Sequence, residues 1–78
     1  MERETLEKAI SLRDDLEAML RIKYAMETGY DGQWGFSTPY YARLNGGAGL
    51  ILPDSFKPKL GKLVIEHIED IENQLREL

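Results

Sequence analysis

The grouping in this 78-residue sequence with a chemistry to offer is an arginine set between tyrosines and glycines: Tyr40-Tyr41-Ala42-Arg43-Leu44-Asn45-Gly46-Gly47. Alternate residues of a strand share a face, so a strand here would present Tyr41, Arg43 and Asn45 together. A ring stacks on a planar base, and a guanidinium pairs with phosphate through donors it cannot turn into acceptors. The glycines of Asn45-Gly46-Gly47-Ala48-Gly49 let backbone N–H groups converge on an anion. That run matches neither the phosphate-loop pattern nor the dinucleotide fingerprint, and a hairpin turn also accounts for it. The strand face equally reads as an ordinary solvated one. Trp34, in Tyr30-Asp31-Gly32-Gln33-Trp34-Gly35-Phe36, supplies either a second stacking ring or a plug between hairpin and helices. Lys57 and Lys59 add supplementary positive charge.

Other chemistries lack their parts. The chain has no Cys and one His, so disulfides, thiolate metal sites and most zinc sites are excluded. His67 reads as a packed or half-exposed helix residue, and Glu66, Glu69, Asp70 and Glu72 as a solvated face. Ser11, Ser37 and Ser55 stand in no nucleophile-elbow context. The expectation is a chain with no catalytic residues, metal or cofactor, and not an enzyme. A net charge of −4 argues against a long nucleic acid as partner. No apolar run is long enough for a bilayer, and Met1-Glu2-Arg3-Glu4 lacks the basic and apolar segments of a signal peptide, so a soluble, cytoplasmic protein is expected.

The elements that must position these residues follow from charge and periodicity. Residues 1–20 carry Arg3, Lys8 and Arg13 against six acidic side chains, and residues 63–78 carry Arg76 against five. The span 21–62 is basic and holds every aromatic residue, all seven Gly and all three Pro. Two acidic arms thus flank a basic, ring-rich centre. Leu6, Ala9, Ile10, Leu12, Leu16, Met19, Leu20, Ile22 and Met26 recur at helical spacing, predicting a helix over about 2–28 with Gly29 as a left-handed cap. A loop over 29–39 follows, with Ser37-Thr38-Pro39 as a break. Strand-favouring residues then predict a β-hairpin over 40–52, with Trp34-Gly35-Phe36 as a further extended segment. After a loose turn at 53–57, a second helix is expected over about 58–78. Val64, Ile68, Ile71 and Leu75 step by 4, 3 and 4 along it, a seam suited to packing on the first helix and on a second copy. The whole, residues 1–78, is expected to be one α+β, mainly α domain that gains its stability by homo-oligomerisation.

The layout Tyr41-Ala42-Arg43-Leu44-Asn45-Gly46-Gly47-Ala48-Gly49-Leu50-Ile51-Leu52-Pro53, framed by a charged helix and a Leu/Ile-seamed one, resembles short phage-type helix–hairpin–helix proteins. Some phage proteins of this size are anti-defence sponges, oligomers that hide the cyclic nucleotide or cyclic ADP-ribose-type signals of bacterial immunity. The resemblance implies a non-enzymatic protein of the host cytoplasm that binds a small anionic nucleotide-type ligand. Arg43 would pair with phosphate, Tyr41 and Trp34 would stack, and Asn45, Gly46 and Gly47 would make polar contacts, with Lys57 and Lys59 in support. Val64, Ile68, Ile71 and Leu75 would form the subunit contact. The competing reading is an acidic oligomer that inhibits or adapts a host protein complex through Glu66, Glu69, Asp70 and Glu72.

Overall fold

The protein is mainly helical, and its computed structural model describes residues 2–78. The order is helix α1 (Arg3–Thr28), strand β1 (Gly35–Phe36), short helix α2 (Pro39–Leu44), strand β2 (Leu50–Ile51), a 3₁₀ turn (Asp54–Phe56) and helix α3 (Lys57–Arg76). Both long helices fall where the periodicity places them, and α3 packs back along α1. On α1 the half-buried positions Thr5, Ala9, Leu12, Leu16, Met19, Lys23 and Met26 alternate four- and three-residue steps. On α3 the matching line is Lys57, Gly61, Val64, Ile68, Ile71 and Leu75. Two such seams meet as an antiparallel pair, and Met26 Cε lies against Gly61 near the end where the helices join.

This packing is the first of the two roles expected of the α3 seam, contact with the first helix. Val64, Ile68 and Ile71 are the buried apolar side chains among the described residues, and the chain's own α1 covers them. Leu75 is half-buried on the same line.

The expected hairpin over 40–52 is corrected. Residues 40–44 form α2, because Ser37-Thr38-Pro39 starts a helix rather than breaking one. Thr38 is extended and its Oγ1 accepts a hydrogen bond from Tyr41 N at 3.2 Å, while Pro39 occupies a first-turn position where its missing N–H costs nothing. The hairpin strands are instead β1 and β2, pairing Gly35 with Ile51 and Phe36 with Leu50. Leu52 N extends the pairing by donating to Trp34 O at 2.7 Å. Gly46 and Gly47, at φ 64° and 89°, turn the chain out of α2 rather than closing a two-residue hairpin. Gly29 is not left-handed, with φ −113°; its N–H closes α1 on Ala25 O. At the start of α3, Pro58 sits in the first turn as expected. Among the described residues no helix is long and apolar enough to cross a membrane.

Candidate functional site

Lys57 organises the aromatic segment. Its stem is buried, and its Nζ donates to the carbonyls of Tyr30 and Gly32, each at 2.7 Å. Asp54 Oδ1 completes the set at 3.2 Å. The same ammonium lies 5.6 Å from the Tyr30 ring centre and 5.4 Å from that of Trp34, within cation–π range of both. The two rings meet edge to face, 5.9 Å apart at 84°. Trp34 Nε1 donates to Gly29 O at 3.0 Å. A loop with little core beneath it is thus fixed by one cation and one indole acting on backbone carbonyls. Lys57 is satisfied by these partners, so it holds the site together rather than offering charge to a ligand.

Beside these rings, residues of α1 and α3 line an open groove of about 530 Å³. Met26, Tyr30, Trp34, Pro58, Val64 and Ile65 give it a mostly apolar lining. Lys23, Glu27, Lys62, Glu66 and Glu69 stand around it. The ion pairs Lys23–Glu27 at 3.9 Å and Lys62–Glu66 at 4.0 Å are long and solvent-exposed, so the two ammoniums are only loosely held. Stacking on a ring wall and one charge contact at the rim are what such a surface can provide.

The sequence-derived candidates divide between two places. Trp34 and Lys57 come together at the groove. Tyr41 and Arg43 lie on α2, and Asn45, Gly46 and Gly47 in the turn after it. On a helix, residues two apart diverge by about 200°, so Arg43 does not share a face with Tyr41 and Asn45 as a strand would require. In the turn, the N–H groups of Asn45, Gly47 and Ala48 are already used within the chain. Asn45 N–H bonds back to Tyr41 O and Ala42 O, Gly47 N–H to Ala42 O, and Ala48 N–H to Asn45 O. The Asn45 side chain donates to Tyr41 O at 2.8 Å. These bonds close the carbonyl end of a helix, the end that repels anions. Lys59 is exposed in the first turn of α3 and does not line the groove.

Lys23, Met26, Tyr30, Lys62 and Ile65 were not among the expected site residues. The first three step by three and four along the end of α1 and beyond it, a continuation visible in the sequence but not linked to α3 until the helices pair. His67 and the carboxylates Glu66, Glu69, Asp70 and Glu72 are exposed. Among the described residues no group of three His, Cys, Asp or Glu is placed to hold a metal. Comparison with protein-family models, with curated proteins and with solved structures finds no match to this chain.

Proposed function

We propose that the chain is a non-enzymatic cytoplasmic binding protein that sequesters a small planar ligand in the α1–α3 groove, the ligand being of the nucleotide-signal class that phage sponges hide. The observation carrying this reading is the groove itself, whose rings are held in place by Lys57 beside an apolar lining. Its volume of about 530 Å³ falls within the range of roughly 300–1,000 Å³ typical of small-ligand sites. A base would lie against Tyr30 and Trp34, and a phosphate would draw Lys23 or Lys62 from its long pairing with a carboxylate. Arg43, on α2, takes no part in this version of the site.

A second reading, capture of a protein segment, draws on the rim's charge balance. Glu27, Glu66 and Glu69 stand beside Lys23 and Lys62, and such a mixed rim suits a peptide as well as an anion. Fluorescence of Trp34, the sole tryptophan, separates the readings. Titration with a panel of cyclic nucleotides and ADP-ribose-derived signals should give a saturable change that Ile65→Glu removes and Arg43→Glu leaves intact. A flat response to the whole panel would reject the small-ligand reading and leave the peptide one.

A further inference from the structure

The described chain exposes more surface than a folded monomer of its size should. Its accessible surface is 6,375 Å², against about 4,900 Å² for a compact protein of this mass. Its radius of gyration is 15.8 Å, against about 11.5 Å for a compact chain of this length. The excess of about 1,500 Å² exceeds the roughly 800 Å² each partner buries in a standard interface.

The surface that would use this excess has a definite pattern. One step around α1 from its inner seam lie Arg3, Leu6, Ile10, Arg13, Glu17, Leu20, Tyr24 and Glu27, spaced by alternating threes and fours. All are exposed, and the apolar ones, Leu6, Ile10, Leu20 and Tyr24, run from 46% to 69%. Between Ile10 and Leu20 the stripe dips into a hollow of about 450 Å³ walled by Arg13, Leu16 and Glu17.

Read from either end, this stripe complements itself. Set antiparallel against a second α1, with a two-fold axis passing between Arg13 and Glu17, Arg13 meets the partner's Glu17. Ile10 then meets the partner's Leu20, Leu6 the partner's Tyr24, and Arg3 the partner's Glu27. Each pair occurs twice, as a closed two-fold interface demands. Parallel pairing would instead set arginine on arginine and glutamate on glutamate. Among the described residues Arg13 makes no ion pair, and Glu17 is held only by the exposed Arg21.

The geometry points to a homodimer built on this stripe of α1 in antiparallel register, and not on the α3 seam. The dimer does not depend on what the groove binds. One consequence does rest on the ligand reading: the register brings the partner's Arg3 to Glu27, at the rim of the groove, so each site gains a guanidinium from the other chain.

The test is a charge exchange read by sedimentation equilibrium, with circular dichroism to follow helix content. Wild-type protein should sediment at about twice the 9.0 kDa chain mass. Arg13→Glu puts four acids at the two-fold axis, and Glu17→Arg puts four bases there, so each variant alone should dimerise at least tenfold more weakly. Mixed one to one, every glutamate of one variant faces an arginine of the other, and the dimer should return. If the isolated variants lose helix as monomers, the mixture should recover helix together with mass. A monomeric wild type, an oligomer indifferent to both substitutions, or a mixture no tighter than its components would overturn the register. Arg3→Ala, which leaves the central Arg13–Glu17 pairs in place, should then weaken any ligand seen by Trp34 fluorescence far more than it weakens the dimer; a lost dimer and a lost ligand are thus separate results.

Discussion

Replacing Lys57 by Met tests whether one cation positions the site. The substitution keeps most of the buried stem and removes the ammonium. Two charge-assisted bonds to the Tyr30 and Gly32 carbonyls are lost, each worth about 1.5–3 kcal/mol. Two terms reduce that sum: both residues are exposed, so water can re-solvate their carbonyls, and the ammonium's own desolvation cost disappears. The net expectation is about 2–4 kcal/mol, a large share of the roughly 4–12 kcal/mol that a chain of this length holds. Asp54→Asn supplies the internal control. The Asp54 side chain is 93% exposed, so its pairing with Lys57 should contribute less than about 1 kcal/mol.

The assay is urea unfolding at one fixed chain concentration, because self-association adds to apparent stability. Trp34 emission, recorded before the transition, reports the local effect. Without the cation the rings should loosen and the emission shift to the red, whereas Asp54→Asn should leave it unmoved. If the two variants lost the same stability within about 0.5 kcal/mol, or the emission did not change in Lys57→Met, the buried lysine would not be what fixes the loop.

Ile71, only 1% exposed, anchors the thin interface between α1 and α3. Ile71→Ala should cost about 2–3 kcal/mol in urea unfolding, near the low end for such truncations because two helices can close on the gap; a loss under 1 kcal/mol would mean the seam contributes little. Gly47→Ala, at φ 89°, should destabilise by about 1–2 kcal/mol through backbone strain alone, since no atom lies near enough to clash with the added methyl. Thermal unfolding checks it, and a neutral result would show that the turn after α2 relaxes freely.

What the sequence disclosed and what it concealed divide by range of interaction. The two long helices were legible because their seams repeat over many turns, and a repeat averages out local ambiguity. The segment 37–52 was not, because its propensities conflict. Tyr40-Tyr41 favours a strand, while Thr38-Pro39 caps a helix, and one cap bond with a first-turn proline outweighs ring propensity over so few residues. That difference decides which residues can act together. A strand at 41–45 collects Tyr41, Arg43 and Asn45 on one face, whereas the helix turns Arg43 away from Tyr41 and Asn45. The grouping of Trp34 with Tyr30 was visible from their setting among rings and glycines. The role of Lys57 was not, since its carbonyl partners lie 25 and 27 residues earlier and nothing local marks them.

Among the described residues only Val64, Ile68 and Ile71 are buried apolar side chains, which leaves little interior to fix a pocket, so the candidate site depends on surface elements. The groove opens between α1 and α3 near Met26 and Ile65, and the self-complementary stripe reaches Tyr24 and Glu27 on the same stretch of α1. Two surfaces that share an edge are coupled wherever a bound ligand touches both chains. If the partner's Arg3 reaches the groove and touches a bound phosphate, the dimer binds that ligand more tightly than the monomer does, and the ligand strengthens the dimer by the same factor. Under the proposed sequestering role that coupling would be useful: capture by one groove favours the assembly in which the second is also complete. A ligand recognised by stacking alone would leave the dimer constant unchanged. The response of the dimer constant to ligand therefore reports whether the second chain takes part in recognition.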